Sequence, residues 1–228
     1  MPRPPRPRFP GATYHVTTRG NRKQEIFLDD RDRIRFLQLV EHVVSSLDWR
    51  CHTYCLMTNH YHLLVETPDA NISQGMQYLN GVYAKWFNWR HEYEGHLFER
   101  RFRGGLVEGG AHLLELTRYI VLNPVRAGLI GTASAWRWSS YNATIRTQRP
   151  PAFLTCAWVL SLFSHDQKRA CELYAEFVAD GAAQQRLSGR DPVPGTRTRP
   201  GQPYPYTPGK RSASRLTRRA AGRPTTFR

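Results

Sequence analysis

Hydrophobic and polar positions change their period several times along this chain, and each change predicts an element. From Ala12 to Thr18 they alternate, Tyr14 and Val16 against His15 and Thr17, which predicts a strand. Asp29 then stands where a helix N-cap is wanted, and Phe36, Leu37, Val40, Val44 and Leu47 follow at helical spacing. Arg50 to Leu56 and His60 to Glu66 read as two more strands, joined by Met57-Thr58-Asn59, a connection short enough for an antiparallel hairpin. Thr67-Pro68-Asp69 ends the second, and Ile72, Met76, Leu79, Tyr83 and Trp86 predict another amphipathic helix.

Gly95 to Gly110 reads as a basic loop entering a fourth strand. Helical periodicity returns from Ala111 to Leu122 and meets a stop at Asn123-Pro124, because proline disfavours helix in the residue before it. Strand, helix, strand, strand, helix, strand is the order of a ferredoxin-like α+β domain, an antiparallel sheet with helices on one face. Further C-terminal helices are predicted from about Thr155 to Ala179. The folded domain is thus expected over 9–180, flanked by a disordered segment at 1–8 and a disordered Arg-rich tail at 181–228.

Composition adds a partner class. A chain of 228 residues with 40% hydrophobic positions can bury a core. It has no apolar run of about 18 residues and no signal-like leader, so a cytoplasmic location without membrane contact is expected. Cys51, Cys55, Cys156 and Cys171 are too scattered for a disulfide framework. The formal charge of +15 points to a polyanion, nucleic acid first. Only Lys23, Lys85, Lys168 and Lys210 are lysines; arginine suits phosphate forks and base stacking, although a GC-rich genome also enriches it. Residues 181–228 hold eleven basic side chains against Asp191 alone, a net +10 of that charge.

Two places carry candidate chemistry. His60 and His62 are i and i+2 of a strand, so both imidazoles face the same way, half of a metal site. On the helix from residue 111, His112, Glu115, Tyr119 and Asn123 fall within about 80° of one another at 100° per residue. Asn123 could add an amide oxygen to the two imidazoles, a set suited to Mg or Mn, with the Tyr119 hydroxyl beside it. Equally, Asn123 could cap its helix and Tyr119 be an ordinary half-buried tyrosine. A rival is a zinc-binding module in which Cys51 and Cys55, expected on one face of their strand, join the histidines.

Three motifs occur in order: Asn59-His60-Tyr61-His62-Leu63-Leu64, then Arg118-Tyr119-Ile120-Val121-Leu122-Asn123-Pro124-Val125-Arg126-Ala127-Gly128-Leu129, then Trp136-Arg137-Trp138-Ser139-Ser140-Tyr141. Through them the chain resembles the single-tyrosine HUH transposases of insertion sequences, and most of all the bacterial REP-associated tyrosine transposases, over about Phe9 to Gly181. The resemblance implies His60 and His62 as metal ligands, Asn123 as the third, a divalent Mg or Mn ion, and Tyr119 as nucleophile. It further implies cleavage and rejoining of single-stranded or hairpin DNA of the repetitive extragenic palindromic type through a 5′-phosphotyrosine. Arg100, Arg101, Arg103 and Arg126 are then candidate phosphate contacts, and Phe98, Phe102 and Trp89 candidate stacking platforms. His15 and His112 are the histidines considered as general base. A monomer and a homodimer both suit this scheme, and a domesticated DNA-binding protein that no longer cleaves is the alternative to an enzyme.

Overall fold

The computed structural model describes residues 9–107 and 109–188, with side chains to residue 183. The segment 1–8 and the Arg-rich tail from residue 189 on lie outside the described residues. Four strands, β1 (Ala12–Arg19), β2 (Arg50–Leu56), β3 (His60–Thr67) and β4 (Arg103–Leu106), form one sheet in the order β2-β3-β1-β4. Every neighbouring pair is antiparallel, the interleaved arrangement of a ferredoxin-like fold. Between them run α1 (Asp30–Ser46) and α2 (Ile72–Arg90), and after β4 come α3 (Gly110–Val121), α4 (Asn123–Arg126), α5 (Tyr141–Thr144), α6 (Cys156–Ser161) and α7 (Gln167–Ser188).

The alternation in β1 and β3 divides the sheet into two faces of different chemistry. Val16, Tyr61, Leu63 and Val65 point towards α1 and α2 and join Phe36, Met76, Leu79 and Tyr83 in the main core. On the other face Cys55, Met57 and Leu64 meet Leu113, Leu116 and Ile120 of α3 in a second, smaller cluster. The ferredoxin-like pair of helices therefore shares one face as expected, while the added helix α3 crosses the opposite one. It covers only part of that face, and the remainder holds the polar residues of β1 and β3.

The N-terminus of α1 is pinned to the C-terminus of α2 by charge. Asp29 and Asp32 form a reciprocal capping box. Arg90 pairs with both carboxylates, and His91 Nε2 lies 2.9 Å from Asp32. Asp32 is fully buried, so removing it would leave Arg90, His91 and the Leu28 N–H short of an acceptor. Breaking a buried pair from one side costs about 3 kcal/mol or more. Asp32→Ala is accordingly expected to lower the unfolding free energy by about that amount in a urea titration.

Two details depart from the expected pattern. Register between β2 and β3 shifts at Cys51/Thr53, with Cys51 opposite Val65 but Cys55 opposite His62. This bulge inserts one residue, so Cys51 joins the main core and Cys55 the smaller one, on opposite faces. The shared face expected for the two cysteines is thereby corrected, and they cannot meet one cation. In addition, the domain boundary expected at Gly181 falls inside α7. Glycine suits this helical position because Arg118 crosses there: a Cβ would stand 2.6 Å from Arg118 Cδ.

The third motif covers the outer edge of β2. Leu56 N–H donates to Trp138 O at 2.9 Å, Ser140 N–H to Tyr54 O at 3.0 Å, and Trp136 Nε1 to Leu56 O at 3.0 Å. Without this cover the edge would present unpaired backbone groups to other chains.

Candidate active site

The site lies on the sheet face that α3 only partly covers. Pairing sets Thr17 opposite His62, Arg19 opposite His60 and His15 opposite Leu64, while β4 brings Arg103 opposite Thr17 and Gly105 opposite His15. Odd residues of β1 and even residues of β3 therefore make one polar strip. The His60 and His62 ring centroids are 5.1 Å apart, as the i, i+2 spacing predicts.

Each histidine has its Nδ1 engaged. His60 Nδ1–H donates to Asn59 Oδ1 at 2.7 Å. The amide cannot be the other way round, because Asn59 Nδ2 donates to Lys23 O at 3.0 Å. Gly20 anchors the same turn: its N–H donates to Asn59 O at 2.8 Å, and a Cβ there would sit 2.1 Å from Gln24 O. His62 Nδ1 lies 2.9 Å from His15 Nε2, both rings being 3–5% exposed. Nε2 of His62 is buried with no hydrogen-bond partner among the described residues.

Burial keeps all three imidazoles neutral near pH 7. His15 is lowered to about 3 by burial, helped by His112, and His60 to about 4 by burial, helped by Arg19. His62 is held well below the usual range by burial, then by His60, His15, Arg19 and Arg126. Neutral rings offer lone pairs, which is what a metal ligand requires. The orphaned Nε2 of His62 therefore fits a cation, since a buried polar atom without a partner is otherwise costly. Among the described residues no three His, Cys, Asp or Glu side chains gather around one point, so a third protein ligand here has to be of another kind.

Asn123 is the candidate for such a ligand. Its Nδ2 donates to Tyr119 O at 2.9 Å and to Ile120 O at 3.3 Å, closing the end of α3. Capping and ligation are compatible, because committing the NH₂ group leaves Oδ1 as the ligand atom. The Tyr119 ring stands edge-on to the His62 and His15 rings, with centroids 6.0 and 6.2 Å away. The Arg126 guanidinium lies over the same ring, 4.5 Å from its centroid. Tyr119, His60, His62 and Asn123 thus occupy one neighbourhood, with Arg126 at its margin.

The other expected residues divide. Arg103 is exposed at the start of β4, on the strip that carries His62. Arg100 and Arg101 are exposed further out, around a hollow also lined by Asn21, His96 and Phe98, and Arg100 pairs with Glu99. Trp89 is 78% exposed and available for stacking. Phe102 is only 5% exposed, because its ring folds under Gly104, so the stacking role expected for it is corrected to a core role. Phe98 is half-buried against Tyr61 and Tyr83. Three neighbours of the site did not stand out beforehand as parts of it: Asn59, His15 as the partner of His62, and Arg19. The alternation from Ala12 to Thr18 contained His15 but stopped short of Arg19, and it needed the β1–β3 register to bring either to the histidines.

Comparison with known proteins shows the family and the fold. Residues 9–123 match the family model described as "Transposase IS200 like", a span that ends at Asn123 and includes all four central residues. The chain is 26% identical over 144 residues to a REP-associated tyrosine transposase of Haemophilus influenzae, covering 55% of this chain and 82% of that protein. In fold it is similar to a REP-associated tyrosine transposase solved bound to a REP hairpin, with a TM-score of 0.55 and 17% identity over 68% of this chain and 92% of that one.

Proposed function

This chain belongs to the IS200-like transposase family, and from that premise we propose that it cuts and rejoins single-stranded DNA beside a hairpin through a covalent bond to Tyr119. The observation that carries this reading is the meeting of Tyr119 with His62, which stands beside His60 and whose buried Nε2 has no hydrogen-bond partner among the described residues. His60, His62 and Asn123 would hold a divalent ion, Mg or Mn, which would polarise the scissile phosphate and fix its orientation. Oxygen donors and open positions for water and phosphate suit these ions.

Tyr119 Oη attacks phosphorus. A P–O bond to the tyrosine forms, the bond from phosphorus to the 3′ oxygen of the preceding nucleotide breaks, and the phenolic proton leaves as the 3′ oxygen gains one. The 5′ phosphate then sits on the protein as an ester, so the reverse attack by a 3′-OH rejoins a strand without a nucleotide cofactor. Arg126, over the Tyr119 ring, and Arg19 and Arg103, along the strip, would meet phosphate oxygens of the bound strand. A duplex would shield the phosphate from a tyrosine carried on a helix, which is why the substrate is single-stranded at the cut.

Polarity of attachment tests this. A hairpin with a single-stranded flank is labelled at its 3′ end in one preparation and at its 5′ end in another, then incubated with the protein and Mn. The 3′ label is expected to enter a denaturant-resistant protein band and the 5′ label to stay free. Attachment of the 5′ label, or release of both, contradicts a 5′-phosphotyrosine. The non-cleaving alternative, a DNA-binding protein with this fold, predicts hairpin binding with neither label attached.

A further inference from the structure

We infer that His15 is a positioning residue for the metal centre, holding His62 in the one tautomer that turns a bare Nε2 towards the cation; this rests on the reading of His60, His62 and Asn123 as ligands. A neutral imidazole carries a single N–H, on Nδ1 or on Nε2. In His62 the first nitrogen lies 2.9 Å from His15 Nε2 and the second is buried without a partner among the described residues. With the hydrogen on Nε2, a buried donor would go unanswered and the ligand atom would be blocked. With the hydrogen on Nδ1, it is donated to His15 Nε2, and the lone pair of Nε2 is what remains for a metal.

His60 shows the same division of labour with a partner whose role is fixed. Asn59 Oδ1 can only accept, so the His60 hydrogen is on Nδ1 and its Nε2 is bare. Asn59 and His15 thus act alike on the two ligands, one from the turn before β3 and one from the neighbouring strand. A hydrogen-bond partner of this kind fixes both the tautomer and the ring plane of a ligating histidine.

His15 is also built to hold a plane. Its ring lies edge to edge with that of His62 across the hydrogen bond and nearly in the same plane, with centroids 5.2 Å apart and 13° between planes, and it stands nearly perpendicular to the Tyr119 ring. One buried side chain on β1 therefore touches both the ligand and the attacking residue, and it leaves the His62 ring little freedom to flip.

The full chain without metal provides the first readout, two-bond ¹H–¹⁵N correlation of the histidine rings, which distinguishes the tautomers and needs no variant. The second is Mn affinity, followed by the electron paramagnetic resonance of free Mn. The wild type is expected to show His62 protonated on Nδ1. His15→Phe, which keeps a ring but offers no acceptor, is expected to lose that single tautomer and to bind Mn about 10- to 100-fold more weakly. His15→Gln, which restores an acceptor near the same place, is expected to recover most of the affinity. A wild-type His62 protonated on Nε2 overturns the proposal, as does a folded His15→Phe with unchanged tautomer and Mn affinity. His62→Ala separates the two levels: if it binds Mn as well as the wild type does, the ligand reading fails and the role of His15 goes with it, whereas the tautomer result alone removes only His15.

Discussion

Tyr119→Phe is expected to abolish the covalent DNA adduct while leaving hairpin binding within about twofold. The substitution removes one oxygen and keeps the ring that stands edge-on to His62 and His15 and beneath Arg126. Its effect on stability should therefore stay within about 1 kcal/mol, the worth of a typical hydrogen bond. Its effect on cleavage should be at least about a thousandfold, since removing a nucleophile takes away the covalent route and leaves only what binding and orientation achieve. Denaturing gels for the adduct and a binding isotherm on the same hairpin check both halves. An adduct at the normal rate from the phenylalanine variant would remove Tyr119 from the chemistry. Loss of binding together with the adduct would make it a structural residue.

The second large effect belongs to the histidine pair. His60→Ala or His62→Ala is expected to stop cleavage, and chelation by EDTA to do the same to the wild type. Added Mg or Mn should restore the chelated wild type and neither variant, because ion and ligand are both needed. The two variants should differ in their structural cost. His60 is half-buried and bonded to Asn59 in a surface turn, so its removal should leave the fold almost untouched. His62 is buried against His15; truncating it leaves a cavity and deprives His15 Nε2 of its partner, and a loss of about 1–3 kcal/mol is expected. Thermal unfolding measured beside activity separates the two contributions. Should Mg restore cleavage in either variant, that histidine is not a ligand.

Much of this arrangement is legible in the chain because it follows from local periods. Alternation from Ala12 and from His60 yields two strands, and a recurring step of three or four residues yields α1, α2 and α3, so the ferredoxin-like order follows without knowledge of any contact. The same logic placed His60 beside His62 and Tyr119 beside Asn123. What escaped it depends on register or on tertiary cover. The bulge between Cys51 and Thr53 changes which face each cysteine takes, yet an inserted strand residue leaves no mark on composition. His15 and His62 are 47 positions apart, and only the pairing of β1 with β3 makes them neighbours. Phe102 lies between arginines, which suggested exposure, but a glycine two residues on made room for its ring. Gly181 resembled a terminator and is instead the place where α7 admits the Arg118 side chain.

The centre of the site depends on local spacing and its rim on the pairing of the sheet. The central residues are fixed by short-range geometry: two histidines on one strand, and a tyrosine and an asparagine one helical turn apart. The basic residues around them are placed by β1 and β4, whose register is a property of the whole sheet. Arg19, opposite His60, and Arg103, opposite Thr17, lie at the same end of β1 and fall on one strip with His62.

The most direct test of the account is to identify the atom that carries the DNA. The adduct formed with Mn is digested with nuclease and trypsin and analysed by mass spectrometry. Cleavage after Arg118 and Arg126 releases the peptide Tyr119–Arg126, whose single tyrosine is Tyr119. The account predicts that this peptide alone carries a nucleotide joined through its 5′ phosphate to the tyrosine oxygen. A nucleotide on any other peptide, or a linkage through a 3′ phosphate, would contradict it.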